Sequence, residues 1–209
     1  GQIEYNNVIL TTNGMLAAVC EEVDVTQSAK AIVEFNDCLE QQGIEFLYMQ
    51  MPYKEDFNDK IYPDSISSYG NENADRMITA LKNSNIVTVD TRTEISISPE
   101  SIKEYYYDTD HHWNSKGAFV AFQMLMERLA KMYPDKEIDM TYADMSNWEE
   151  HVLEDWFLGS RGKRVGKYFC GTDDLIWHTP LFDTRMSCIV PQNVMLLKGD
   201  YEKVNISKR

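Results

Sequence analysis

The sequence predicts an α/β sandwich with a mainly parallel central sheet, organised as one domain over residues 1–209. Helices with an apolar stripe alternate with nearly continuous apolar runs, and this alternation is typical of parallel sheets covered by helices. The composition agrees, because 43% of the 209 residues are hydrophobic and 11% are aromatic, which is enough to bury a core.

The chain opens with a turn and a helix. Residues 8–10 and 15–16 are apolar and flank Asn13-Gly14, a dipeptide that favours a tight turn between two short strands. Residues 28–42 then carry apolar side chains at helical spacing, which predicts the first amphipathic helix.

Two buried strands follow, each preceded by a helix. Gly43 is a stop signal for the first helix, and the apolar run of residues 44–51 predicts a buried strand after it. The pattern repeats with a helix over residues 73–83 and a strand over residues 86–90. A helix, a glycine and a buried strand in this order form the unit from which parallel sheets are built.

A third helix and a less regular region complete the chain. The helix is predicted over residues 115–133, with Asn114 or Ser115 as its N-terminal cap. Beyond Pro134 the pattern weakens into a loop-rich stretch with short strands at residues 188–190 and 193–197.

Charge and composition exclude several classes of protein. The net charge is −14 and is spread along the chain, which argues against nucleic-acid binding, because phosphate contacts need clustered Lys and Arg. The short basic segment 161–164 is interpreted as a solvated loop. No apolar run approaches the roughly 20 residues that span a bilayer. The four cysteines form no Cys-x-x-Cys pair, which argues against a zinc knuckle or a redox motif, and no cofactor is expected.

Acids and imidazoles are concentrated in one segment at the entrance of the third helix. Asp108, Asp110, His111 and His112 lie within five consecutive positions. A histidine that acts as a general base needs a carboxylate on its other ring nitrogen, and an Asp two or three residues away can supply it. Two pairs satisfy this spacing, Asp110 with His112 and Asp108 with His111.

The segment Thr109-Asp110-His111-His112-Trp113-Asn114-Ser115-Lys116-Gly117-Ala118 resembles the signature of bacterial DHHW proteins, relatives of the alginate O-acetyltransferases in the SGNH hydrolase superfamily. Residues 51–54 and 157–166 support the resemblance. It implies an SGNH-hydrolase-like three-layer sandwich and an extracellular or cell-surface location. The Asp-x-His-Trp pattern of the acetyltransferases favours Asp110 as orienter and His112 as base, whereas the general Asp-x-x-His pattern of the superfamily selects Asp108 and His111.

The serine nucleophile that the resemblance implies is not evident in the sequence. Ser160 and Ser187 lack the strand, nucleophile and helix order that exposes a serine hydroxyl, and Tyr201 follows Gly199-Asp200 where a serine is expected. We therefore expect a member that is either incomplete at the C-terminus or unusually short, whose nucleophile lies beyond Arg209 or is absent.

The resemblance predicts an esterase or O-acetyltransferase with a carbohydrate or acyl-ester substrate. Lys54, at the end of a predicted strand, and Tyr107 and Trp113, which offer aromatic faces, are the candidate substrate-binding residues. One alternative is a non-catalytic carbohydrate-binding or scaffold protein that keeps the fold. The other is a divalent-metal site formed by Asp108, Asp110, His111 and His112, which is disfavoured because adjacent side chains rarely converge on one ion. The oligomeric state is not predicted.

Overall fold

The computed structural model describes residues 4–54, 61–63, 66–93 and 102–183. It begins with an antiparallel three-stranded sheet of β1 (Glu4–Tyr5), β2 (Val8–Leu10) and β3 (Leu16–Ala17). Leu10 pairs with Leu16 across the turn that contains Gly14, whose φ of 84° suits a residue without a side chain. The two short strands predicted around Asn13-Gly14 are therefore confirmed.

The parallel unit is built as the sequence predicts. Helix α1 (Thr26–Glu40) leads to β4 (Leu47–Gln50), and α2 (Gly70–Asn83) leads to β5 (Val87–Asp90). Strands β4 and β5 pair in parallel from Leu47↔Val87 to Gln50↔Asp90. The helices cover this pair through a buried cluster of Ala29, Leu81 and Ile86. Just beyond β4, the carbonyl oxygen of Pro52 accepts the hydroxyl of Tyr106 at 2.8 Å, so the end of this strand lies next to the segment that carries the histidines.

Helix α3 (Ser115–Met132) follows that segment. The side chain of Asn114 accepts hydrogen bonds from the N–H groups of Lys116 at 2.9 Å and Gly117 at 3.1 Å, so the predicted cap is confirmed. Asn114 also donates to the carbonyl oxygen of Glu104 at 2.8 Å. The cap therefore fixes the start of α3 against the preceding loop. In the described ranges, no helix is long and apolar enough to cross a membrane.

The α/β class is confirmed, but the sheets differ from the prediction in one respect. In the described part of the chain the parallel pairing consists of β4 and β5, and the other two sheets are antiparallel. One of these is a hairpin of β6 (Trp148–Phe157) and β7 (Asp173–Pro180). The prediction that the chain is loop-rich here was wrong, because these residues form the hairpin. The strands predicted at residues 188–190 and 193–197 lie outside the described residues.

Two short helices connect the strands of the hairpin. They are α4 (Ser160–Val165) and α5 (Lys167–Cys170). The interpretation of residues 161–164 as a solvated loop was wrong, because these residues belong to α4. Arg161 is only 8% exposed, and its Nη1 donates to the carbonyl oxygen of Leu16 at 2.9 Å. Helix α4 is thereby attached to the N-terminal sheet.

Candidate active site

The acidic and imidazole side chains lie on a tight loop in front of α3, and we call residues 107–112 the site loop. A β-bridge between Tyr106 and Trp113 closes the base of this loop. The N–H of Tyr107 donates to the carbonyl oxygen of His112 at 3.3 Å, one step further into the loop. The side chains of the site loop are thus presented on a turn whose two ends are joined.

Asp110 and His112 are in direct contact. Oδ1 of Asp110 lies 2.6 Å from Nδ1 of His112, and the same oxygen accepts the backbone N–H of His112 at 3.0 Å. The side chain of Asp110 is 5% exposed, whereas that of His112 is 64% exposed. When Nδ1 donates to the carboxylate, Nε2 carries the lone pair, so the imidazole can accept a proton on its solvent side.

The Asp110 carboxyl is held in its ionised form. Burial on its own raises the pKa of this carboxyl, but the backbone N–H groups of Ser160 and His112 and the His112 ring outweigh burial and hold the pKa well below the usual range. The N–H of Ser160 is 2.5 Å from Oδ2, opposite the oxygen that faces His112. Each carboxylate oxygen therefore has its own donor, which fixes the plane of the group.

The alternative pair, Asp108 and His111, is not brought together in the same way. Asp108 forms an ion pair with Lys103, with Oδ2 and Nζ 2.8 Å apart. Nδ1 of His111 lies 3.2 Å from Oδ1 of Asp110, and the rings of His111 and His112 are 3.7 Å apart between centroids. Both histidines therefore face the carboxylate of Asp110, and His112 makes the shorter contact.

Ser160 joins this cluster from a distant part of the chain. Its hydroxyl oxygen is 2.9 Å from Nδ1 of His111. Strand β6 ends at Phe157 and α4 begins at Ser160, so this serine does lie between a strand and a helix. The expectation that Ser160 lacks the strand, nucleophile and helix order was wrong, because residues 148–157 form the strand β6. Recognising β6 as a strand is the signal that would have retained Ser160 as a candidate.

Lys54 lies beneath the site loop rather than at an open surface. It is 1% exposed, and its Nζ donates to the carbonyl oxygens of Tyr107 at 2.9 Å and Asp110 at 2.6 Å. The sequence placed Lys54 at the end of a strand and predicted a substrate contact. The structure instead places its ammonium group against the backbone of the site loop.

The two aromatic candidates pack against their neighbours. The ring of Tyr107 lies 4.6 Å from that of Phe157, and burial, together with the nearby carboxylates of Asp173 and Asp110, raises the pKa of its hydroxyl. Trp113 is half-buried and packs on a cluster of buried side chains at the base of the loop, which are Met15, Ile102 and Tyr106. Both side chains thus support the loop, and the substrate contacts predicted for them stay a prediction.

The metal alternative is reduced to three ligands. Asp110, His111 and His112 each offer a ligand atom, and these atoms lie within 4.8 Å of one another. Asp108, the fourth residue in the sequence-based set, is occupied by Lys103. Asp110 also spends both oxygens on N–H donors, so its geometry is that of a carboxylate oriented by hydrogen bonds.

This α/β domain, with its Asp-His pair in front of α3, belongs to the SGNH hydrolase-like class. The chain is a member of the family described as SGNH hydrolase-like domain, acetyltransferase AlgX, which matches residues 9–151. The resemblance noted in the sequence is therefore confirmed. A comparison with curated proteins found no match.

Three solved structures share the fold at low sequence identity. Bacillus cereus PatB1 with a sulfonyl adduct has a TM-score of 0.67 at 20% identity, over 86% of this chain and 57% of that one. The O-acetyltransferase domain of Pseudomonas putida AlgJ has a TM-score of 0.62 at 17% identity, over 83% of this chain and 64% of that one. A DHHW family protein from Eubacterium siraeum has a TM-score of 0.59 at 18% identity, over 85% of this chain and 56% of that one. The chain thus spans less than two thirds of each of these structures.

Proposed function

We propose that the intact protein is an SGNH-type O-acetyltransferase or esterase that acts on a cell-surface polysaccharide. The observation that carries this proposal is the 2.6 Å contact between the buried carboxylate of Asp110 and the exposed ring of His112. An ionised carboxylate on Nδ1 fixes the tautomer of the imidazole and stabilises the imidazolium that forms when Nε2 takes up a proton. His112 is therefore assigned the role of general base, and Asp110 that of orienter.

The reaction proceeds in two acyl transfers. Nε2 of His112 takes the proton of a serine hydroxyl, and the serine oxygen attacks the acyl carbonyl and forms a tetrahedral intermediate. Collapse breaks the bond to the leaving alcohol, which receives the proton from His112, and leaves an acyl-serine. A sugar hydroxyl or water, deprotonated by His112, then takes the acyl group and frees the serine.

Two further lines support acyl transfer to a glycan. The family description names an acetyltransferase, and the AlgJ structure is of an O-acetyltransferase domain. The acidic surface, with a net charge of −14, suits a neutral or acetylated sugar better than a polyphosphate. An extracellular or cell-surface location belongs to the same proposal and rests on the family resemblance.

The serine is the part of the triad that remains to be assigned by experiment. In the described ranges, Ser160 is the serine in hydrogen-bond contact with the cluster, and its hydroxyl faces His111 instead of His112. A sulfonyl fluoride is a suitable probe, because it sulfonylates an activated serine and the modified peptide can be identified by mass spectrometry. Labelling of Ser160 would assign the nucleophile to α4. Labelling of another serine would assign Ser160 a supporting role.

Turnover of a chromogenic acetyl ester tests the roles of the two histidines. We expect His112→Ala and Asp110→Asn each to lower kcat by about 100-fold or more, because each removes part of the base. His151→Ala, a histidine of β6 that contacts Thr179, is the matched control and should retain activity. If His111→Ala abolishes turnover while His112→Ala does not, His111 is the base instead, and Asp108→Asn compared with Asp110→Asn then shows which carboxylate orients it. No effect of either substitution would refute the proposal.

The same purified protein tests the two alternatives. A glycan-binding array combined with the ester assay distinguishes an enzyme from a non-catalytic carbohydrate-binding protein, which would bind glycans without hydrolysing the ester. The three clustered ligands make metal analysis worthwhile as well. Stoichiometric zinc that is lost in His112→Ala and needed for activity would replace the serine mechanism with metal chemistry.

A further inference from the structure

Lys54 approaches the site loop from the side of the parallel strands. It follows β4 by four residues, and its ammonium group is buried against three backbone carbonyl oxygens. The distances from Nζ are 2.9 Å to Tyr107, 3.2 Å to Asp108 and 2.6 Å to Asp110. An ammonium group has three donors and no acceptor, so carbonyl oxygens are partners that suit it.

Asp173 approaches the same loop from the hairpin. It is the first residue of β7, and its carboxylate accepts the N–H of Asp108 at 2.7 Å and the N–H of Thr109 at 2.9 Å. The hydroxyl of Thr109 donates to the same carboxylate at 2.5 Å. A carboxylate has acceptors only, so Asp173 satisfies N–H groups where Lys54 satisfies carbonyl groups.

The two charged groups replace the hydrogen bonds that a helix or sheet would supply. Thr109 and Asp110 are 1% and 4% exposed, so their backbone groups have little access to water. A buried backbone group without a partner costs about 1–3 kcal/mol, and bonds to a charged partner are stronger than neutral ones. The conformation of the site loop therefore depends on both Lys54 and Asp173.

The Asp110 carboxylate depends on that conformation in turn. Its donors are the N–H of His112 inside the loop and the N–H of Ser160 on α4. Thr109 links the loop to α4 as well, because its carbonyl oxygen accepts the N–H of Gly162 at 2.8 Å. A shift of the loop would therefore separate the carboxylate from the N–H of Ser160, and a change in the conformation of the loop would separate it from the ring of His112.

We propose that Lys54 and Asp173 are positioning residues, which hold the site loop between opposite charges so that the Asp110 carboxylate meets His112 in the geometry of a working base. The catalytic purpose rests on the proposed function, whereas the loop geometry can be tested without it. This role replaces the substrate contact that the sequence suggested for Lys54. It also adds Asp173, which has no counterpart in the Asp-His motif.

The pKa of Asp110, measured by NMR of the carboxyl carbons, is the direct readout. The Asp110 signal is assigned by its loss in Asp110→Asn. We expect Lys54→Met and Asp173→Asn to raise this pKa toward the ordinary aspartate value of about 3.9, because the N–H donors no longer aim at the carboxylate. The matched controls are Lys30→Met, an exposed lysine of α1, and Asp174→Asn, whose carboxylate accepts the N–H of Asp155. Both controls should leave it unchanged.

Turnover of the acetyl ester is the second readout. A misplaced base lowers kcat by about 10- to 100-fold and leaves KM nearly unchanged, because Lys54 and Asp173 do not contact the substrate. Asp173→Asn keeps the size of the side chain, so it tests the proposal even if Lys54→Met does not fold. Folded variants with an unchanged Asp110 pKa and unchanged kcat would overturn the proposal. A raised pKa in a protein without esterase activity would support the loop geometry and reject the proposed function alone.

Discussion

Gly159 packs so closely against the site loop that there is no room for a side chain at this position. A Cβ built on Gly159 would lie 2.4 Å from Cβ of Asp110 and 2.5 Å from the carbonyl oxygen of Thr109. Carbon atoms in contact are normally about 3.5–4.0 Å apart, so Gly159→Ala must push the start of α4 away from the site loop by roughly 1 Å. The neighbouring N–H of Ser160, now 2.5 Å from Asp110, would then lie beyond hydrogen-bonding distance.

Two effects set the magnitude for Gly159→Ala. Overpacking costs about 1–3 kcal/mol, and a lost hydrogen bond to a charged group costs about 1.5–3 kcal/mol, so we expect the free energy of unfolding to fall by about 2.5–6 kcal/mol. Urea unfolding at neutral pH measures this change, and NMR of the Asp110 carboxyl should show a raised pKa. The control is Gly43→Ala, whose φ of 70° brings strain but whose Cβ meets nothing within 4 Å. An unchanged urea midpoint and an unchanged Asp110 pKa in Gly159→Ala would refute the packing argument.

Two further predictions concern Asp110 in the site loop and the cap of α3. Asp110 has a depressed pKa in the folded protein, so the stability that it contributes is complete above the unfolded pKa of about 3.9 and is lost as the pH falls further. The difference in the free energy of unfolding between wild type and Asp110→Asn should therefore shrink from about pH 5 to pH 2. A difference that stays constant over this range would contradict the prediction. Asn114→Ala removes the cap of α3 and should lower the free energy of unfolding by about 0.5–2 kcal/mol. The comparison is Asp139→Ala, which removes the cap of a short 3-10 helix. Equal decreases of the urea midpoint in the two variants would count against a special role of Asn114.

The parts of the site that the sequence reveals are those that are close in the chain. Asp110 and His112 are two residues apart, so local spacing predicted this pair together with the alternative of Asp108 and His111, and the family resemblance favoured the pair that is in contact. Asn114 was predicted as a cap for the same reason. The alternating helices and strands up to Asp90 were also predictable, since each element shows its period within its own segment.

The parts that were missed depend on contacts across long stretches of chain. Strand β6 is largely exposed and carries four acidic residues in the run WEEHVLEDWF, so it lacks the alternation that identifies a half-buried strand. Without β6, Ser160 could not be placed between a strand and a helix. Asp173 is 64 residues from Thr109, and the burial of Lys54 arises only when the site loop covers it. Pairings of this kind are set by tertiary structure.

The connection of Asp110 to Ser160 has a consequence for the order in which the protein matures. The motif with both histidines is complete once residue 113 has been synthesised, but its carboxylate receives its second donor 50 residues later. The anchor of α4 on Leu16 closes a separation of 145 residues, and Asp173 follows later still. Contacts of such high sequence separation form late, because loop closure must precede them. On the ribosome, the β4–β5 unit is therefore available to fold first, and chemical competence is acquired only after Asp173 has been synthesised.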